Sequence, residues 1–273
     1  AAFGLGFIIG PVIGGLLGQF GSRVPFYAAA VLCLVNFAYG YFILPESLGK
    51  EHRRPFEWKR ANPVGSLLKV RTHPEILKLF VAWFLVYLAS HAVQTNWAYF
   101  TMYKFAWDEK TVGISLGVMG AFTAFVQGFL IRKVHPKLGS ERSILYGIMF
   151  YCTGMLLFAF AQKEWMMYAI LAIYCLGGIA GPALQSVISS KVSPKEQGDL
   201  QGALTSVISI TSIIGPLLMT QIFYFFTHPD AKIKLLTLEL KPPFQFSGAP
   251  FFLGFVLMAV SAYFVYYVFH RKK

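Results

Sequence analysis

Apolar residues run through this chain in long blocks, each ended by a short cluster of charged residues, glycine or proline. That is neither the alternation of a half-buried strand nor the single stripe of a soluble helix. A helix needs ~20 mainly apolar residues to cross ~30 Å of hydrocarbon. Eight stretches reach that length, approximately 1–20, 24–44, 76–99, 111–131, 143–161, 165–189, 200–226 and 250–269. The pattern therefore predicts an all-α integral membrane protein with eight transmembrane helices. The long polar interruption is 46–75, with seven basic and four acidic residues broken by Pro55 and Pro63. Phe56, Trp58, Leu67 and Leu68 within it are suited to rest on the membrane surface. A second loop, 227–249, contains Pro229, Pro242 and Pro243, with a short extended piece expected over 233–240.

Composition agrees with the pattern. Apolar residues make up 56% of the chain and charged residues 13%, where a soluble domain carries about a quarter charged. The net charge of +12 suggests nucleic acid until its positions are read. Lys50, Arg53, Arg54, Lys59, Arg60, Lys69, Arg71 and Lys78 cluster around the long loop. Arg132, Lys133, Lys137 and Arg142, then Lys191 and Lys195, then Arg271, Lys272 and Lys273 fall on the same side of the predicted spans. That is seventeen of the 24 basic residues, against seven (Arg23, Lys104, Lys110, Lys163, Lys232, Lys234, Lys241) on the other. This positive-inside asymmetry predicts a multi-pass protein of the inner, cytoplasmic membrane with both ends of the segment in the cytoplasm. The partner it implies is the lipid bilayer, with no nucleic acid.

Cys33, Cys152 and Cys175 all fall inside predicted spans, unaccompanied by His or carboxylate clusters, and read as small buried hydrophobes. No zinc spacing, phosphate loop or nucleophile elbow occurs, so no enzyme activity, metal or cofactor is expected. The chain opens already inside an apolar stretch without an initiator Met, so no signal peptide is visible and a fragment of a longer protein is expected.

The first span carries Gly6, Gly10, Pro11, Gly14 and Gly15 in the order G-x-x-x-G-P-x-x-G-G. Glycines four apart share a helix face and let a second helix approach closely. Pro11 removes a backbone donor on that face and invites a kink. The pair returns as Gly215-Pro216 in the seventh span, the expected hinge of that helix.

These residues resemble the major facilitator superfamily, in its drug:proton antiporter branch. The glycine run is similar to the antiporter motif of the fifth helix. Trp107-Asp108-Glu109-Lys110-Thr111-Val112-Gly113, and Glu196-Gln197-Gly198-Asp199-Leu200-Gln201-Gly202-Ala203, resemble stretches of tetracycline-resistance efflux proteins. The resemblance implies eight of an expected twelve helices, about helices five to twelve. Residues 1–44 would be the last two helices of the N-terminal half, 45–75 the central cytoplasmic loop, and 76–273 the six-helix C-terminal half. It implies a secondary active transporter, monomeric, exporting a drug-like or amphipathic small molecule at the expense of a proton gradient. The alternative is a non-transporting or inactive truncated protein on the same scaffold. Two departures bear on the substrate. Tyr151 stands where well-known tetracycline carriers have an acid in helix nine, and Thr123 where some have a His in helix eight. Neither tetracycline itself nor that proton relay is therefore implied.

Transport needs polar groups beside a water-filled path, and ionisable residues inside a span are functional candidates by default. No Asp or Glu lies well inside a predicted span. His91, Gln94 and Thr95 occupy i, i+3 and i+4 of the third span with Tyr87 one turn before, and helix seven lines the cavity in this superfamily. Gln127, Gln185 and Asn36 complete the candidates for the substrate or proton path. Asn96 and Trp97 are expected to lie off that face. Ser206, Ser209, Thr211 and Ser212 are expected to bond back to their own helix. Between helices eight and nine, Gly128, Arg132, Gly139 and Arg142 resemble a degenerate copy of the family's loop between helices two and three, able to anchor helix ends or to gate.

Overall fold

The structure, a computed structural model, describes residues 6, 9–10, 13–14, 17–18, 20–21, 23–45, 49, 74–193, 196–229, 233–235 and 238–270. The central loop, the Arg271–Lys273 tail, and Pro11 and Gly15 of the glycine motif lie outside them. The described chain is helical apart from one small hairpin. Helix α1 is Val24–Phe42, opened by Pro25 in its first turn, where a proline costs no helix bond. Helix α2, Pro74–Phe105, runs 32 residues. It stops where Ala106 turns left-handed, at φ 53°, and the Trp107 N–H bonds back to the Thr101 carbonyl at 3.4 Å.

Asp108 then caps α3, Glu109–Phe125. Its Oδ1 accepts from the Thr111 N–H at 2.8 Å and from the Thr111 hydroxyl at 2.5 Å, satisfying a donor the first turn leaves orphaned. A π-helical turn, Val126–Leu130, leads into α4, Ile131–Phe160. Next come α5, Glu164–Leu176, a 3-10 turn at Gly177–Ile179, and α6, Ala180–Ser190. Helix α7 is Gln197–Thr227 and α8 is Ala249–His270. Between them the expected extended piece is an antiparallel hairpin, β1 Ile233–Leu235 on β2 Leu238–Leu240, with Lys234 opposite Glu239.

Six helices among the described residues are long and apolar enough to cross a membrane. One of them, Lys110–Phe160, has 51 residues, and at 1.5 Å per residue it is more than twice as long as one crossing needs. The chain breaks it at Gly139, whose φ of 75° and ψ of 168° end one helix and begin the next. The polar 132–142 stretch, expected as a loop, is thus helical up to and beyond a single left-handed glycine. Pro136 precedes the break, and the Ser143 hydroxyl closes it by donating to the Gly139 carbonyl at 2.7 Å. The first predicted span lies largely outside the described residues.

The core divides by depth. One cluster packs Trp83, Val86, Ile144, Ile148, Leu184 and Met258. The other packs Trp97, Phe100, Met155, Phe158, Met219 and Phe251. Tyr151 and Leu257 touch both. Lipid supplies no hydrophobic force between helices, so small residues and hydrogen bonds must hold them together. A Cβ on Gly147 would lie 2.7 Å from the Ala180 nitrogen, and one on Gly154 2.8 Å from the Tyr174 Cβ, so α4 lies directly on α5 and α6. The buried Ser261 hydroxyl donates to the Ala82 carbonyl at 3.0 Å and ties α8 to α2. The Trp97 indole donates to Ser115 at 2.8 Å and ties α2 to α3.

Candidate functional site

His91 and Gly215 meet at the interface of α2 and α7. A Cβ on Gly215 would fall 2.5 Å from the His91 Cγ and 2.9 Å from its Cβ. Only glycine leaves room for the imidazole, which is 8% exposed. Pro216, the next residue, has no N–H to give the Ser212 carbonyl, so α7 lacks one helix bond beside the ring. The Ser206, Ser209, Thr211 and Ser212 hydroxyls all donate to carbonyls three or four residues earlier, at 2.8 to 3.0 Å.

The face expected to unite His91, Gln94 and Thr95 splits in the structure. His91 is buried against α7, whereas Gln94 is exposed and Thr95 half-buried. Successive residues turn about 100° around a helix, so positions 91 and 94 differ by about 60°. That angle separates a packed interface from an open flank. Gln94 donates to the Ser90 hydroxyl at 3.1 Å, and Ser90 to the Tyr87 carbonyl at 2.7 Å. Tyr87 leans on Trp83, with ring centroids 4.8 Å apart.

A second group gathers where α3, α4 and α5 meet. The Tyr151 ring lies on Gly177, its Cγ 2.5 Å from where a Cβ would sit, and its centroid is 4.8 Å from that of Tyr174. Gln127, half-buried in the π turn, brings Nε2 to 3.8 Å from the Cβ position of Gly178. Thr123 donates to the Cys175 thiol at 3.8 Å. Sequence reasoning singled out Thr123, Gln127 and Tyr151 separately. It missed the Gly177-Gly178 pair that joins them, although two glycines inside an apolar block are a visible breaker signal.

The remaining candidates are dispersed. Gln185 donates to Gln201 at 3.3 Å and bridges α6 to α7. Asn36 is exposed on α1. Among the described residues, no atom comes within 4 Å of a Cβ at Gly6, Gly10 or Gly14. Gly128 lies in the π turn, Gly139 at the break, and Arg132 and Arg142 are exposed. Asn96 was set aside by its position on the helix. It is wholly buried, and neither its Oδ1 nor its Nδ2 has a partner among the described residues. An amide in the middle of an apolar span was the signal for it.

The model of the Major Facilitator Superfamily matches residues 1–216. The chain belongs to the major facilitator superfamily. Within it, the chain is 37% identical over 223 residues to the class C tetracycline resistance protein of Escherichia coli, and 35% identical over 223 residues to the class G protein of Vibrio anguillarum. Each match covers 82% of this chain and 56% of the relative, so the chain spans about half the length of the curated relatives it matches. The crystal structure of the human organic anion transporter MFSD10 (TETRAN) superposes with a TM-score of 0.78, over 97% of this chain and 61% of that one. At 20% identity that likeness establishes the fold alone. The protein is a multi-pass membrane protein of the major facilitator fold.

Proposed function

We propose that the protein is a proton-coupled exporter of a drug-like or amphipathic small molecule. The relationship to the tetracycline resistance proteins supports export. The observation that carries the coupling is the seating of His91 on Gly215. Among the described residues, His91 is the one side chain in the middle of a span that ordinarily titrates near neutrality. A protonated imidazole wedged against backbone loses its water, which favours separation of α2 from α7. A neutral ring allows the close contact. Pro216 makes α7 bend there at little cost, because the helix bond is already missing.

In this reading the chain crosses the membrane eight times with both ends cytoplasmic, in the inner membrane and as a monomer. Residues 1–44 complete an N-terminal half, 45–75 form the central loop and 76–273 the C-terminal half. Tyr87, Gln94, Thr95, Gln127, Gln185 and Asn36 line the path. Gly6, Gly10, Pro11, Gly14 and Gly15 seal the seam between halves, and Gly128, Arg132, Gly139 and Arg142 steady the helix ends. The energy comes from the proton gradient, with no cofactor and no covalent chemistry. The test is efflux of a fluorescent amphipathic cation from energised membrane vesicles containing the full chain. Export that collapses with the pH gradient is expected; export indifferent to an uncoupler would contradict the coupling.

A further inference from the structure

At the end of the bundle that carries Arg142 and His270, α4 and α8 part around a cavity of about 690 Å³. The two helices touch on either side of it. Deeper in, the Met155 Sδ lies 3.0 Å from the Cβ position of Gly254, and Met155 and Met258 are wholly buried. At the rim, the Glu141 Oε1 lies 3.5 Å from the His270 Nδ1. The opening between these contacts is walled by two stripes at helical spacing, Arg142, Tyr146 and Met149 from α4 and Tyr263, Tyr266 and His270 from α8. Arg142 to Met149 is about 10 Å of helix rise. Over that depth the walls change from charged to apolar, a gradient that matches a lipid from headgroup to upper acyl chain.

Charge selects the occupant. Glu141 faces His270, and the Tyr266 ring stacks on the same imidazole with centroids 4.0 Å apart. Arg142 is exposed and makes no hydrogen bond or ion pair among the described residues. In sequence, His270 is followed directly by Arg271, Lys272 and Lys273. A guanidinium meets a phosphate through two parallel hydrogen bonds, and the tyrosine rings offer apolar faces with hydroxyls at their tips. Basic pockets between membrane helices on the cytoplasmic side hold anionic headgroups. We propose that this cavity binds one anionic phospholipid, its phosphate on Arg142 and an acyl chain along the tyrosine stripe between α4 and α8. Such a site exists whether or not the protein exports drugs.

Native mass spectrometry of the full chain, released from nanodiscs holding equal phosphatidylglycerol and phosphatidylcholine, reads the site directly. The expected result is one retained phosphatidylglycerol per protein, with retention falling about fivefold in Arg142→Gln and persisting in Arg142→Lys. Lys163→Gln, at the other end of the bundle, should retain the lipid like the parent protein. Equal retention of the two lipids by the parent protein overturns the proposal without any variant. Retention unaffected by Arg142→Gln overturns it as well. Glycerol 3-phosphate, a headgroup without chains, should leave the lipid in place. Displacement by it would identify a bare phosphate site and would equally defeat the lipid assignment.

Discussion

Of the three glycine–proline pairs in the chain, the glycines of two, Gly10-Pro11 and Gly215-Pro216, stand in different surroundings. At Gly215-Pro216 the glycine face is filled, with the His91 ring pressed onto it between α2 and α7. At Gly10-Pro11 no atom of the described residues lies within 4 Å of the Cβ positions of Gly6, Gly10 and Gly14, and α1, the next helix along, has no buried residue. The glycine of the dipeptide thus makes a close contact in one place and meets no described neighbour in the other. A small-residue run specifies how closely a helix can approach, whereas the neighbour decides whether that closeness stabilises anything.

The largest effect should come from filling the formed contact. Gly215→Leu places a side chain where the imidazole sits, an overpacking that costs about 1–3 kcal/mol or more. The yield of monodisperse protein after detergent extraction should fall sharply. His91→Ala in the same chain should restore part of it, because it vacates the occupied volume. Failure of that rescue would show that the contact is not what Gly215 protects. Gly10→Leu is expected to separate stability from function. Extraction yield should stay near that of the parent, since no described atom is displaced, while efflux is lost because a wedge now stands in the seam. Unchanged efflux would remove the seam from the account.

The smallest effect distinguishes neither pair and serves as a control between them. The Thr111 hydroxyl, and then its N–H, hold the Asp108 carboxyl below its usual value. A carboxylate lowered by folding contributes stability above the unfolded value of about 3.9, and loses it as pH falls through the lowered folded value. Melting temperature should therefore decline slightly more with acid in the parent than in Asp108→Asn, with no change near neutrality. An identical acid limb in both proteins would mean that the cap carries no pH-dependent stability.

Much of the fold was legible because the bilayer demands it. From residue 24 onward the apolar blocks of the right length became helices, Pro229, Pro242 and Pro243 fell outside them, and the described part of the 233–240 stretch formed the hairpin. The boundary between the fourth and fifth predicted spans was read less well. The polar residues around Arg132 and Lys137 mark the end of the hydrocarbon, but polar residues can continue a helix, and only Gly139 breaks it. The site was legible as residue types and illegible as pairings. His91 was singled out as an ionisable group in a span, and Gly215 as a hinge, but nothing along the chain says that one lies on the other. Asn96 was missed because helix-wheel spacing ranks faces without knowing which face a neighbour buries.

The most direct test of the central claim is the pH profile of efflux by the parent protein and by His91→Gln, which removes the titrating group while keeping a polar side chain of similar reach. If the imidazole on Gly215 couples proton to substrate, the parent rate should change across the acidic-to-neutral range. The variant should then be flat over that range while still exchanging substrate down its gradient. Superimposable profiles would contradict the claim and leave His91 as a packing residue between α2 and α7.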